Sequence, residues 1–136
     1  MKSAIAFLLG IAALTTIRAD GAGSPKVVQA PAPVLNVMTD ALPRTPNANV
    51  WVLATTFGPG DASLWHTHPT PSFVYVQSGT ATWEYRGRPA DTRHAGQAYM
   101  EPANVVTRLA NHSATTLSIV IFQVTQPGQP RIIPVH

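Results

Sequence analysis

Short runs of alternating apolar and polar residues fill the chain from Asn49 onward, and they predict an all-β fold. The runs are rich in β-branched and aromatic residues, which favour extended strands, and the clearest are "VWVLATTF", "SLWHTH", "SFVYVQ", "TATWEYR", "VVTRL" and "TTLSIVIFQVT". Glycines and prolines separate them, as turns require. Seven or more short strands at such close spacing indicate a sandwich or barrel. No run has the period of an amphipathic helix.

Two weaker runs at the borders of this region are also interpreted as strands. "VLNVM", residues 34–38, predicts a first short strand, and "AGQAYMEP", residues 95–102, predicts another after the Gly87 hairpin turn. "RIIPV", residues 131–135, predicts an edge strand, because a proline such as Pro134 is tolerated mainly at the edge of a sheet.

The first residues have the layout of a secretory signal peptide. Lys2 precedes an apolar run of 11 residues, Ala4 to Leu14, and small residues follow. This run is too short to cross a bilayer of roughly 30 Å as a helix. We predict a signal peptide at residues 1–19, with cleavage after Ala19 or as late as Gly23. The mature chain is then secreted or periplasmic and has no membrane span.

The rest of the chain divides into a linker and one domain. Residues 20–33 are dominated by glycine, alanine and proline without any period, which predicts a flexible linker. Residues 34–136 then form a single barrel domain. The chain has no cysteine, so an exported domain must depend on its core rather than on disulfides. Zinc–thiolate sites and cysteine nucleophiles are excluded.

The charge of the chain does not indicate a nucleic-acid partner. It has 9 basic and 6 acidic residues, but Lys2 and Arg18 leave with the signal peptide. The mature chain then has 7 basic against 6 acidic residues, a net charge of +1. We therefore predict no binding to nucleic acid.

A His-x-His pair is the strongest chemical signal in the sequence. His66 and His68 lie on one strand, and side chains two residues apart point to the same face. Two imidazoles alone bind a divalent metal weakly, and stable sites supply three or four protein ligands. Copper would suit two imidazoles best. Glu101 and Tyr99 share one strand face, so either could complete the site or act as acid or base.

Two glycine-bounded motifs resemble those of the cupin family. Gly60 precedes "DASLW" and His66-Thr67-His68, and this motif ends at Gly79; Gly96 precedes "QAYME" and Pro102, and the second motif ends at Asn111. The resemblance spans residues 50–124 and implies a jelly-roll, or double-stranded β-helix, barrel. It also implies one divalent metal held inside the barrel by two histidines, a glutamate and a third histidine.

The chain departs from the family pattern at the ligand positions. Ser72 occupies the glutamate position and Thr107 the third-histidine position, while Asn104 replaces a glycine. Only His66 and His68 are retained as strong ligands, and the hydroxyl groups of Ser72 and Thr107 are poor ligands for transition metals. Without a metal, these hydroxyls would hydrogen-bond the imidazoles.

Two classes of function follow from this comparison. The first is a binding module that holds a small organic ligand in the barrel, with His66, His68, Ser72 and Thr107 as its polar groups. The second is a metal-dependent dioxygenase, isomerase or lyase that acts on a small molecule, with Glu101 or Tyr99 completing the site. The cofactor is one divalent transition metal in the second case; in the first, His66 and His68 are polar groups that bind a metal weakly or not at all. The resemblance also implies that a homodimer is plausible.

Overall fold

The computed structural model describes residues 29–136, and within them the chain forms strands and no helix. The strands are β1 (Asn49–Phe57), β2 (His66–Thr67), β3 (Ser72–Ser78), β4 (Thr80–Tyr85), β5 (Arg88–His94), β6 (Ala98–Glu101), β7 (Thr107–Ala110), β8 (Leu117–Thr125) and β9 (Ile133–Pro134). The all-β prediction is confirmed. Nothing in residues 29–136 is a helix of the length and apolarity that a membrane span needs.

The strands of residues 32–136 form two antiparallel sheets of jelly-roll type. One sheet has four strands in the order β1-β8-β3-β6, and the other has five in the order β5-β4-β7-β2-β9. The longest ladder joins β1 to β8 without a break, from the pair Asn49–Thr125 to the pair Phe57–Leu117. Apart from the β4–β5 hairpin, neighbouring strands in each sheet are not consecutive in sequence, so the topology brings the two motif regions together.

The core lies between the two sheets and follows the alternation of the strands. Its buried side chains come from both sheets, with Val74, Val76, Leu117 and Ile119 on one side and Ala81, Trp83, Tyr85 and Leu109 on the other. Along β4 every second residue is buried, as a strand with one solvated face requires. Burial of these apolar side chains is the main stabilising contribution in a domain without disulfides.

Two turn positions explain part of the motif pattern. Gly79 has a φ of 82°, and a Cβ atom there would lie 2.7 Å from the carbonyl oxygen of Thr116. Asn104, at the position where the family pattern has glycine, has a φ of 60°. Asparagine tolerates this left-handed conformation better than most residues, so the turn survives the substitution. The backbone N–H of Asn104 donates a hydrogen bond to the carbonyl oxygen of His68 at 2.8 Å.

Some sequence-based strand predictions were wrong in position or extent. Residues 34–38 form no strand; Val34 and Met38 are largely exposed, and an extended segment needs a partner strand to be stable. The predicted strand at 63–68 is reduced to His66–Thr67, because the chain bends at Trp65 before it and prolines follow at 69 and 71. The predicted edge strand is present as β9. The predicted signal peptide, and the linker up to residue 28, lie outside the described residues.

Candidate metal centre and ligand cavity

The two histidines of the His-x-His pair face the interior of the barrel, as the strand alternation predicts. His66 lies in β2 opposite Thr107 and Pro134, and both imidazoles are buried. Their Nε2 atoms are 3.1 Å apart, and the rings are perpendicular to each other. The pair therefore points both Nε2 atoms toward one small volume.

Backbone carbonyl groups fix the orientation and the tautomer of both imidazoles. The Nδ1 atom of His66 lies 2.7 Å from the carbonyl oxygen of Leu64, and that of His68 lies 2.9 Å from the carbonyl oxygen of Arg131. A carbonyl oxygen only accepts, so both Nδ1 atoms must carry the proton. In the neutral rings the lone pairs are then on Nε2, which is the arrangement of metal-binding histidines.

Glu101 completes the cluster from the end of β6. Its Oε2 atom lies 3.2 Å from the Nε2 atom of His68, and its Oε1 atom accepts a 2.8 Å hydrogen bond from the indole of Trp83. One ligand atom from each of His66, His68 and Glu101 lies within 4.8 Å of the other two. All three residues are buried, so three electron-pair donors converge in one enclosed place.

The buried carboxylate of Glu101 needs a positive charge beside it, and a proton on His68 can supply that charge. Burial lowers the pKa of His66, which favours its neutral form. Burial acts in the same direction on His68, but the hydrogen bond and charge of Glu101 outweigh it and raise the pKa of His68. Burial tends to raise the pKa of Glu101, yet the contact with His68 lowers it. Without metal, His68 and Glu101 form a buried ion pair.

The same cluster fits a divalent transition metal. Two imidazoles and one carboxylate are the donor set of many non-haem iron(II) sites and of some catalytic zinc sites. The carboxylate makes iron or zinc a better match than the copper considered for two imidazoles alone. His66, His68 and Glu101 could hold one ion, and its identity is not fixed by this donor set.

A cavity of about 180 Å³ lies against the cluster. Its polar wall includes His66, His68, Ser72, Glu101 and Arg131, and the rest of its wall is mainly apolar: Phe57, Leu64, Val74, Leu109, Ile119, Ile121 and Ile132. Leu64 is 71% exposed, so the cavity reaches the surface beside this residue. The volume suits a molecule smaller than most drug-sized ligands.

The structure separates the six sequence candidates into two groups. His66, His68, Ser72 and Glu101 line the cavity together. Thr107 and Tyr99 are not part of its wall. The hydroxyl of Thr107 donates to the carbonyl of Glu84 across β4 and β7 at 3.0 Å.

Tyr99 is held at a distance from the cavity by its own partners. Its ring packs against Trp83 with centroids 4.6 Å apart, and its hydroxyl contacts the hydroxyl of Tyr85 and the carboxylate of Asp91. Burial and these hydrogen bonds raise the pKa of Tyr99, so it stays protonated. The Tyr99 phenol therefore does not serve as a base in this structure.

Sequence reasoning missed two supporting residues of the site. Arg131 provides the carbonyl that orients His68, and the indole of Trp83 donates to Glu101. No motif marks Arg131, since it is 63 residues from His68 in the chain. The parity of β4 does place Trp83 inside the barrel, but parity alone does not identify its hydrogen-bond partner.

The chain belongs to the cupin family. The family model for the cupin domain matches residues 54–122, which is just over half of the 136 residues. This match confirms the family suggested by the two motifs. No curated protein matches the sequence.

Solved structures show the same fold. A cupin-like protein from Thermotoga maritima is 26% identical with a TM-score of 0.57, and the match covers 64% of this chain and 65% of that one. A cupin domain from Bordetella pertussis Tohama I is 25% identical with a TM-score of 0.50, over 60% of this chain and 88% of that one. The polyketide cyclase RemF from Streptomyces resistomycificus is 17% identical with a TM-score of 0.53, over 64% and 61%, and this likeness concerns the fold alone.

Proposed function

We propose that this cupin holds one divalent transition metal on His66, His68 and Glu101 and binds a small organic molecule in the adjacent cavity. The observation that carries the proposal is the convergence of three buried donors. Both imidazoles are oriented by backbone carbonyls, and the carboxylate is oriented by Trp83. Such outer contacts typically orient metal ligands.

We infer an enzymatic role for this site, of the dioxygenase, isomerase or lyase type. A bound metal would supply Lewis-acid or redox chemistry, and three protein ligands leave coordination positions for other molecules. The chain's own residues would do the rest. Apolar side chains such as Leu109 and Ile121 would exclude water, and Glu101 would hold its charge next to the reacting group.

A second candidate function is a metal-free binding module, and the ion pair between His68 and Glu101 favours it. This pair already neutralises the buried carboxylate without a metal. In this case His66, with its lowered pKa, would be a neutral hydrogen-bonding group for the ligand.

Titration of chelator-treated protein with Zn²⁺ and, under anaerobic conditions, Fe²⁺ separates the two functions. We expect one ion per chain and loss of binding in the His66→Ala/His68→Ala variant. The matched control is His94→Ala/His112→Ala, which also removes two imidazoles but leaves the cluster intact. Equal and weak binding by all three proteins would contradict the metal site and favour the binding module.

We also propose that the protein is exported and forms a homodimer. Export is supported by the layout of residues 1–19, and an N-terminus at Asp20 in the protein recovered from the periplasm or medium would test it. Dimerisation is supported by the outer face of the four-stranded sheet. Val50, Val52, Tyr75 and Phe122 are exposed there, and an apolar patch of this kind is often an interface.

A further inference from the structure

Arg131 lies at the cavity and is tied to the metal cluster through its main chain. It belongs to the segment between β8 and β9, and it is half-buried. Its carbonyl oxygen accepts a hydrogen bond from the Nδ1 atom of His68 at 2.9 Å and one from the side-chain amide of Gln123 at 3.1 Å. These two bonds fix the backbone of Arg131 next to the histidine pair, and Arg131 is one of the residues that line the cavity.

The guanidinium of Arg131 has no acidic partner among the described residues. The ion pairs of residues 29–136 use other cations, His68, Arg93, Arg108 and His112. The side chain instead lies over the ring of Trp51, 5.7 Å from its centroid. Glu101 is the one carboxylate of the cavity wall, and it is already bonded to His68 and Trp83.

Arg131 is therefore a cation without an acidic partner among the described residues, at a cavity whose wall is otherwise mainly apolar. Burial has the largest effect on the pKa of His66 and of His68, and the positive charge of Arg131 adds a smaller lowering effect on both, so its field reaches the cluster. A guanidinium presents a planar fork of donors that matches a carboxylate. A low-dielectric cleft with charge of one sign attracts ligands of the opposite sign.

We propose that Arg131 binds the carboxylate of the ligand, so that this protein acts on small organic acids with an apolar body. The inference rests on the ligand cavity of the proposed function but not on the metal. Arg131 is then a specificity-determining residue, and the apolar wall receives the remainder of the acid. The volume of about 180 Å³ limits that remainder to a short chain or a single ring.

Binding of two acids and their amides tests the proposal, with benzoate against benzamide and butanoate against butanamide. Each pair has nearly the same shape and differs in charge. Affinities are measured by calorimetry or NMR titration, with the protein both metal-loaded and chelator-treated. We expect at least one acid to bind more tightly than its amide by about tenfold or more and Arg131→Met to remove this preference in both forms.

Two controls keep the inference separate from the metal proposal. Arg88→Met removes an equal charge from a side chain stacked on Tyr85, outside the cavity wall, and should keep the preference. Arg131→Met retains the carbonyl that orients His68, so its metal content should equal that of the wild type. If the protein takes up no metal but still prefers the acid to its amide, and Arg131→Met removes that preference, then this inference is supported and the metal proposal fails.

Three results would overturn the role of Arg131. They are equal affinity for acid and amide in both pairs, no binding of either acid, and a preference that survives Arg131→Met. If the Arg131→Met variant keeps the preference for the acid only when it is loaded with metal, then the metal, and not Arg131, binds the carboxylate.

Discussion

Ser72 and Glu101 are direct partners in the antiparallel ladder between β3 and β6. Ser72 stands where the family motif has its glutamate, and Glu101 reaches the histidine pair from the neighbouring strand. The carboxylate of this site therefore comes from β6, one strand away from the β3 position that the motif assigns to it. The hydroxyl of Ser72 is fully buried and has no hydrogen bond of good geometry, but it lies close enough to Glu101 to help lower the pKa of that carboxyl.

Exchange of these two residues should move the carboxylate to β3. Glu101→Ser should abolish metal binding, because only two strong ligands remain. Ser72→Glu/Glu101→Ser should restore at least part of it, because the partner positions lie within one strand spacing of each other. Zn²⁺ titration of the single and double variants is the measurement.

Ser72→Ala is the matched control for the exchange. It removes a buried hydroxyl that has no hydrogen bond of good geometry and keeps all three ligands, so we expect little loss of stability and unchanged metal binding. A double variant that binds no more Zn²⁺ than Glu101→Ser, while remaining folded, would refute the idea that the carboxylate can act from either strand.

The stability of the metal-free protein should depend on pH through His68 and Glu101. The folded-state pKa of His68 is raised above its ordinary value of 6.5, so its contribution is complete below that pH and is lost as the pH rises through the raised pKa. The folded-state pKa of Glu101 is lowered from 4.5, so its contribution is present above 4.5 and is lost as the pH falls through the lowered pKa.

Metal-free protein should therefore be most stable at mildly acidic pH and lose stability toward alkaline pH. Metal-bound protein should not lose stability there, because the ion replaces the proton of His68 and its affinity rises as that proton leaves. Urea unfolding across the pH range with and without Zn²⁺ measures both effects. If metal-free Glu101→Gln loses as much stability toward alkaline pH as the metal-free wild type, the ion pair between His68 and Glu101 is not the cause of that loss.

Gly79 should be the most sensitive of the turn glycines. Its positive φ would cost a residue with a side chain about 1–2 kcal/mol, and the contact of a Cβ atom with Thr116 at 2.7 Å adds to this. Gly87 has a similar φ of 79°, but a Cβ atom there meets nothing within 4 Å. In urea unfolding, Gly79→Ala should lose clearly more stability than Gly87→Ala, and equal losses would contradict the packing argument.

The apolar outer face of the four-stranded sheet should be the dimer contact. Val52 and Phe122 are partners in the ladder between β1 and β8, and both are exposed. Val52→Glu/Phe122→Glu should give a monomer in sedimentation analysis while the wild type is a dimer. Leu42→Glu, also at an exposed residue but outside the sheets, should leave the dimer intact. A monomeric wild type would end this proposal.

The sequence predicts the fold well because the relevant signals are local. Alternation along β3 and β4 and the turns at Gly79 and Gly87 each depend on a few neighbouring residues. The prediction of a strand at residues 34–38 was wrong, because strand pairing depends on the tertiary structure and no partner strand lies beside "VLNVM".

The site was predicted only in part, because its completion depends on strand register. Parity places His66 and His68 on one face, and the structure agrees. Parity leaves Glu101 and Tyr99 equivalent, whereas the structure brings Glu101 to the cluster and holds Tyr99 beyond Trp83. Nothing in the sequence identifies Arg131, since its contact with His68 is made by a main-chain carbonyl group.

Elemental analysis of the untagged protein, isolated without chelator, tests the central claim most directly. Glu101→Gln and the His66→Ala/His68→Ala variant are isolated in parallel, with circular dichroism to verify that each is folded. We predict close to one transition-metal ion per wild-type chain and only background metal in both variants. Background metal in the wild type, or a full ion retained by Glu101→Gln, would contradict a centre formed by these three residues.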